Sequence, residues 1–280
     1  MATKYYPFGN LIDWEMEKLQ SDWSHVLTRV SESARPAILA NATLRELFTQ
    51  PCDAFVMSVD VRRSTELMLR AKCPENFAEF SLRLFQGLRQ AIWDRHGVVD
   101  KFTGDGILAF FPLFFTGNDA GLLAVDAADE CHRVFRDLFQ SRRDYFDRIM
   151  QDTGLGIGID FGQVSLVQMG GELTVIGEPV VYSCRLGSCD AGDTLVNEPA
   201  FEELQKVSEF LKIRETSIRV KHQGEILAYF VRRNEKPLPD VRAYWELELW
   251  DENSAITPAS ETTENSCEDA ADSSDQNAQL

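Results

Sequence analysis

The sequence is short of several things, and each shortage removes a class of protein. No stretch of about 18 consecutive apolar residues occurs that could span a bilayer as a helix, so insertion into a membrane is not expected. Residues 1–10 carry no apolar run behind a basic stretch and do not read as a secretory leader, which predicts a cytoplasmic protein. The six cysteines (Cys52, Cys73, Cys131, Cys184, Cys189, Cys267) form no C-x-x-C pair and have no histidine at matching spacing. Neither a structural zinc site nor a disulfide framework is therefore indicated, and free thiols are expected. Positive charge is scarce too: 28 Lys and Arg against 45 Asp and Glu leave a formal net charge of −17. A nucleic-acid binder needs clustered cations, so none is predicted here. Any phosphate site in so acidic a chain must be local, and bound metal ions are the natural way to make one.

What is present is ordinary for a globular protein, with 44% hydrophobic and 26% charged residues over 280 positions. The organisation read from it is an N-terminal helical segment over 1–50, a catalytic domain over 51–235, and a C-terminal extension over 236–280. From Asp251 onward that extension holds eight Asp or Glu and no Lys or Arg, a composition that predicts disorder. In the first segment Leu11, Trp14, Met16, Leu19, Trp23, Val26, Leu27 and Val30 recur at helical spacing, as an amphipathic helix covering its own domain or joining two chains would show.

The middle alternates short apolar runs with long amphipathic stretches, an α+β pattern. Strands are expected at 54–61, 155–161, 164–168 and 194–196, the second and third joined by a turn at Phe161-Gly162-Gln163. Phe77, Phe80, Leu84, Leu88 and Ile92 place one helix over 76–94, and others are read at 120–140, 142–150 and 180–186. Two β-prone runs, 97–102 and 106–111, flank the turn Thr103-Gly104-Asp105, and a closing hairpin is expected around Gly224.

Two carboxylates stand out by context. Asp60 ends the apolar strand Phe55-Val56-Met57-Ser58-Val59-Asp60, and Asp105 sits at the hairpin turn. Converging from neighbouring strands they would repel each other unless cations lay between them, and a pair of Mg²⁺ or Mn²⁺ ions shared with triphosphate oxygens fits that need. Each alone has a plainer reading, since an Asp beside a turn Gly is commonly turn chemistry.

Four segments in register resemble the class III nucleotidyl cyclase catalytic domain over about residues 50 to 200. They are Ser58-Val59-Asp60-Val61-Arg62-Arg63-Ser64-Thr65, Lys101-Phe102-Thr103-Gly104-Asp105, Gly156-Ile157-Gly158-Ile159-Asp160-Phe161-Gly162, and the stretch from Thr174 through Gly177-Glu178-Pro179 to Arg185-Leu186. The resemblance implies a ferredoxin-like, mainly antiparallel sheet flanked by helices and a head-to-tail homodimer. It implies two Mn²⁺ or Mg²⁺ ions per site held by Asp60, Asp105 and the carbonyl of Val61. Arg185 then faces the α-phosphate, and Lys101 and Thr174 match the positions that contact the base edge in adenylate cyclases, a pair that taken alone favours adenine. Arg62 and Arg63 are read either as ligands of the outer phosphates or as a solvated turn.

The sequence departs from the family at Val181, where an Asn that orients the ribose is usual, and at Glu178-Pro179. A narrower resemblance, over the segments at 60–65, 100–112 and 179–186, is to the pyrimidine cyclases of bacterial Pycsar anti-phage systems. That implies a pyrimidine triphosphate as substrate and a cyclic nucleotide read by a separate effector protein. A bulky wall from Phe55, Met57 or Phe102 would select the smaller ring, and a Lys101 donor favours uracil, hence UTP and cyclic UMP. Cyclic CMP, cyclic AMP and a catalytically silent dimerisation module stay open as alternatives. Gly170-Gly171-Glu172 suggests a diguanylate cyclase loop, but Leu173 stands where that loop needs its second acid.

Overall fold

A computed structural model describes residues 19–20, 22–147, 150–169, 172–220 and 224–247. Leu11, Trp14, Met16 and the acidic tail lie outside the described residues.

Among the described residues eight strands build one sheet: β1 Cys52–Arg62, β2 Val98–Phe102, β3 Gly106–Pro112, β4 Gly154–Met169, β5 Glu172–Ile176, β6 Thr194–Val196, β7 Leu211–Val220 and β8 Gly224–Arg233. The order is β2-β3-β1-β4-β6-β8-β7, with β5 paired to the far half of β4. Every pairing is antiparallel except β4 with β6. The helices with labels are α1 Ala34–Ala40, α2 Ala42–Leu47, α3 Ser64–Leu69, α4 Pro74–Trp93, α5 Ala120–Ser141, α6 Glu178–Leu186 and α7 Glu198–Leu204. This is the expected α+β architecture, a mainly antiparallel sheet flanked by helices.

Strand alternation decides what lies on each face. On β1, Phe55, Met57, Val59 and Val61 enter one apolar cluster, completed by Phe80, Leu84 and Leu88 of α4 and by the Ala- and Leu-rich face of α5. Ala54 and Val56 point the other way, into a second cluster made with Val26, Val30, Ala34, Ile38, Leu44 and Phe48. The segment before β1 therefore covers one face of its own sheet. Asn41 caps α2 by accepting from the Leu44 N–H at 2.9 Å, the short polar side chain satisfying an otherwise orphan donor. The chain after β8 returns to the same cluster, where Ala243 is buried and Trp245 packs on Phe115 at 4.5 Å between ring centroids.

Two sequence expectations need correction. The helix read over 142–150 is only a 3₁₀ turn, Arg143–Tyr145, followed by a bridge from Phe146 to Ala71. Tertiary bonds override the local pattern: Lys72 N–H donates to the Tyr145 carbonyl and Asp147 N–H to that of Arg70, both at 2.9 Å. Phe146 meanwhile packs edge-on against Phe80 at 5.4 Å. The turn at Phe161-Gly162-Gln163 is also absent, because β4 runs straight through it. Gly162 pairs with Ala54 and Val164 with Cys52, so the β1 ladder carries the strand past the glycine, and the partner of 164–168 is β5.

Candidate active site

The end of β1 brings the first carboxylate to the edge of the core. Val59 and Val61 are buried, so Asp60 between them faces the other side, opposite Gly106 in the last pair of the β1–β3 ladder. The hairpin tip is tied back to it, since Val61 N–H donates to the Asp105 carbonyl at 3.2 Å and Thr103 N–H to that of Gly106 at 2.9 Å. Only glycine suits position 106, where a Cβ would stand 2.3 Å from the Val59 carbonyl oxygen. The result is two neighbouring carboxylates. Burial, and then the charge of Asp105, push the Asp60 carboxyl above its usual range, while Arg62 beside it pulls the other way. Arg62 Nη1 lies 2.6 Å from Asp60 Oδ2, and the Ser64 hydroxyl donates to Asp105. Val61's side chain is in the core, which leaves only its main chain to serve the site.

Arg63 is placed differently from Arg62. It adopts a left-handed backbone at φ 61°, a conformation that costs a non-glycine residue about 1 kcal/mol or more. Its guanidinium donates to the Gln151 carbonyl at 2.9 Å and pairs with Glu66 at 2.6 Å.

A second cluster forms on the other arm of the same hairpin. A register shift between Val99 and Lys101 marks a bulge, and Asp100 lies in it with its side chain 1% exposed. Lys101 Nζ donates to Thr174 Oγ1 at 2.6 Å, and Thr174 in turn donates to Asp100 Oδ2 at 3.1 Å. The Val175 N–H bonds Asp100 Oδ1 at 3.1 Å, and Arg29 Nη1 reaches the same oxygen at 2.9 Å and also donates to the Asp100 main-chain carbonyl. Lys101 and Thr174, paired in the sequence reading, are thus in contact. Asp100 and Arg29 were missed: an acid inside the apolar run Val98-Val99-Asp100 was a usable signal, whereas nothing in the sequence links residue 29 to residue 100.

Arg185 rides on α6, and glycines let that helix lie close against the sheet. Leu155, Ile157 and Ile159 face the core, so Gly156 and Gly158 face α6. A Cβ at Gly158 would meet the Ser183 carbonyl oxygen at 2.1 Å and the Gly187 nitrogen at 2.4 Å. The Arg185 guanidinium stands 5.4 Å from the Tyr182 ring centroid. Val181 is exposed on the same helix. Of the residues expected to wall a base pocket, Phe55 and Met57 are sealed in the core on the other face of β1 and cannot serve, since their parity is opposite to that of Asp60. Phe102 is half exposed and packs on Phe85 at 5.1 Å. Asp160, 2% exposed in β4, has its carboxyl pushed up to about 6 by burial, partly offset by the Phe161 N–H.

A cavity of about 330 Å³, lined by Val61, Ser64, Phe77, Phe85, Gly104 and Asp105 among others, opens beside the carboxylates. A larger one, about 530 Å³ around His132, Arg136 and Arg232, shares no residue with either cluster. The donor set at Asp60 suits small hard cations. Among the described residues no group of three or more His, Cys, Asp or Glu could hold a metal alone. Two carboxylates and a main-chain oxygen instead suit Mg²⁺ or Mn²⁺, which complete their shell with water and phosphate oxygens. The same described residues include no helix long and apolar enough to cross a membrane.

No family model and no curated protein matches the chain. Solved structures do match in fold. The adenylyl cyclase CyaB from P. aeruginosa superposes with a TM-score of 0.60 at 23% identity, over 68% of this chain and 98% of that one. The guanylyl cyclase Cya2 gives 0.58 at 20% identity, over 69% and 98%. The guanylate cyclase domain of RhGC from Catenaria anguillulae, in complex with GTP, gives 0.51 at 16% identity, over 66% and 100%. The chain thus has the fold of the class III cyclase catalytic domain.

Proposed function

We propose that the protein is a pyrimidine nucleotide cyclase that converts UTP to cyclic UMP and diphosphate. The observation that carries the cyclase reading is the single hairpin β2–β3, which holds Asp105 against Asp60 at its tip and Lys101 against Thr174 on its arm. Asp60, Asp105 and the main chain of Val61 would hold two Mn²⁺ or Mg²⁺ ions, whose chemistry when bound is to make the ribose 3′-hydroxyl more acidic and to neutralise the triphosphate. Asp60 and Asp105 bring the negative charge that such ions balance. Arg185 supplies a planar cation for the charge that develops on the α-phosphate as the 3′-oxygen attacks and diphosphate leaves in line. Arg62, 2.6 Å from Asp60, would be the cation for the outer phosphates.

The base pair of contacts has a fixed polarity. Thr174 has one hydroxyl hydrogen, and donating it to Asp100 leaves only lone pairs for a ligand, while Lys101 has only hydrogens to give. A donor beside an acceptor matches O4 and N3–H of uracil, and in a shifted register N3 and the amino group of cytosine or N1 and the amino group of adenine. The pyrimidine assignment rests on the likeness of the 60–65, 100–112 and 179–186 segments to the Pycsar cyclases. It carries with it a cytoplasmic second messenger in anti-phage defence, read by a separate effector.

The two clusters serve opposite sites of a head-to-tail homodimer, Asp60 and Asp105 from one chain with Lys101, Thr174 and Arg185 from its partner. A silent dimerisation module is the competing reading, favoured by Val181 standing where the family places an Asn. To decide, the purified protein is incubated with Mn²⁺ and equal ATP, GTP, CTP and UTP, and products are identified by mass spectrometry beside an Asp60→Ala control. Cyclic UMP lost in the control is expected. Cyclic CMP or cyclic AMP would reassign the base, and no product would favour the silent module.

A further inference from the structure

We infer that Arg29, in the segment before β1, is a positioning residue for base recognition: through Asp100 it sets the Lys101–Thr174 pair that the proposed function assigns to the nucleobase. The inference rests on that function and deepens it. Residue 29 is itself fixed from three directions. Its carbonyl accepts from Trp93 Nε1 and from the Val99 N–H, each at 2.9 Å, and its guanidinium reaches both the side chain and the main chain of Asp100. The neighbouring Val26 and Val30 are buried in the cluster beneath the sheet, so the docked segment delivers Arg29 to one place.

Asp100 then acts as a distributor of hydrogen bonds. A buried carboxylate needs its charge answered and its lone pairs filled. Oδ1 receives Arg29 and the Val175 N–H, which leaves Oδ2 for the Thr174 hydroxyl, with Lys101 Nζ at 3.5 Å. Arg29, together with the Val175 N–H, therefore sets which Asp100 oxygen faces Thr174, and hence which way the Thr174 proton points. Without it, Lys101 is the remaining cation paired with Asp100 among the described residues, and the lysine would turn from the base towards the carboxylate. The Thr174 hydroxyl would be released to act as donor as well as acceptor, and discrimination between a carbonyl and an amino group on the base would fall. Arg29 touches no substrate atom in this scheme. Its effect passes through Asp100 to the side chains that do.

The test uses the full chain and the variants Arg29→Ala, Arg29→Lys and the double variant Arg29→Ala/Asp100→Asn, the last removing the buried charge along with its partner so that folding is preserved. Turnover is measured with each of the four nucleoside triphosphates and Mn²⁺. Binding of each triphosphate is measured by calorimetry with Ca²⁺ as the metal, so base discrimination is read without chemistry. For Arg29→Ala the expected result is a KM for the preferred nucleotide raised about tenfold, with kcat within about threefold, and a preference among bases flattened by a similar factor. Arg29→Lys should recover part of the preference. If Arg29→Ala fails to fold, the double variant is read in its place and should show the same flattening. Unchanged KM and unchanged base preference in a folded variant would overturn the inference while leaving the cyclase reading intact. A wild-type protein that neither makes a cyclic product nor discriminates bases in binding would overturn both, and the two failures are distinguishable.

Discussion

At Asp60 two demands meet, since the carboxylate that a cation site needs is one the fold would do better without. Its carboxyl is raised above the usual range by burial and by Asp105, so the charged form costs the folded state free energy. The cost appears as pH rises through the folded value and is gone below the ordinary carboxylate range. Asp60→Asn is therefore expected to melt at or above the wild-type temperature at pH 7, with the advantage vanishing near pH 3, while turnover falls about a hundred- to a thousandfold, what loss of a principal charge-stabilising group costs. A melting scan across pH beside an activity assay checks both, and a variant that is inactive because it is unfolded would sink the claim. Legibility at this scale was uneven. Asp60 and Asp105 stood out because strand ends and turns leave a pattern in the sequence, whereas Lys101 and Thr174 were named only through the resemblance to the cyclase domain. Asp100 showed itself only as an acid inside an apolar run, and Arg29 not at all, because a bond between residues 71 positions apart leaves no pattern.

Helix α6 shows how an element is positioned by what its neighbour omits. Gly156 and Gly158 take the helix-facing positions of β4, so the α6 backbone lies almost on the strand and carries Arg185 with it. Gly158→Ala places a methyl 2.1 Å from the Ser183 carbonyl oxygen and must lift the helix. The expected outcome is a loss of about 2 to 3 kcal/mol in urea unfolding, typical of overpacking. Turnover should fall more steeply than nucleotide binding, since under the proposed function the displaced group acts on charge that develops during reaction. Equal losses in both would argue that α6 does not position Arg185. The same strand explains an error of reading: a glycine flanked by Phe161 and Gln163 looks like a turn, yet the β1 ladder holds it extended. The 142–150 stretch erred the other way, a helical pattern broken by hydrogen bonds from residues 70–72.

Across the whole molecule, acid should loosen the fold at buried imidazoles, His132 and His96, the first of them shifted far enough to test. His132 bonds the Thr194 hydroxyl at 3.0 Å, and burial first, then Arg232 and Arg136, depress its pKa from 6.5 to about 4. A lowered histidine pKa contributes stability that is whole above 6.5 and lost as pH falls towards about 4. The loss is at most about 3.5 kcal/mol at roughly 1.4 kcal/mol per unit. Asp160 runs the opposite way, its burden easing as pH falls through about 6, so the two are separated by comparing wild type with His132→Gln. The variant should show a flatter decline in melting temperature between pH 6.5 and 4, and a parallel decline would exclude His132 as the cause. Assembly is tested at the same scale. Chains carrying Asp105→Ala and Arg185→Ala, each inactive alone, should recover about a quarter of wild-type turnover when mixed, because half of random dimers pair unlike chains and each of those keeps one whole site. No recovery would refute shared sites.

By itself the sequence determined the fold class and the identity of the acidic pair, because strand alternation, helical spacing and turn glycines act over a few residues and are written where they act. The tertiary structure alone decided which side of β1 each residue takes. It removed Phe55 and Met57 from the base pocket by parity, and it turned Arg62 towards Asp60 and Arg63 towards Gln151 and Glu66. It alone joined Arg29 to Asp100, since a buried carboxylate takes its partners from whatever the packed chain brings within reach, and sequence distance has no part in that choice.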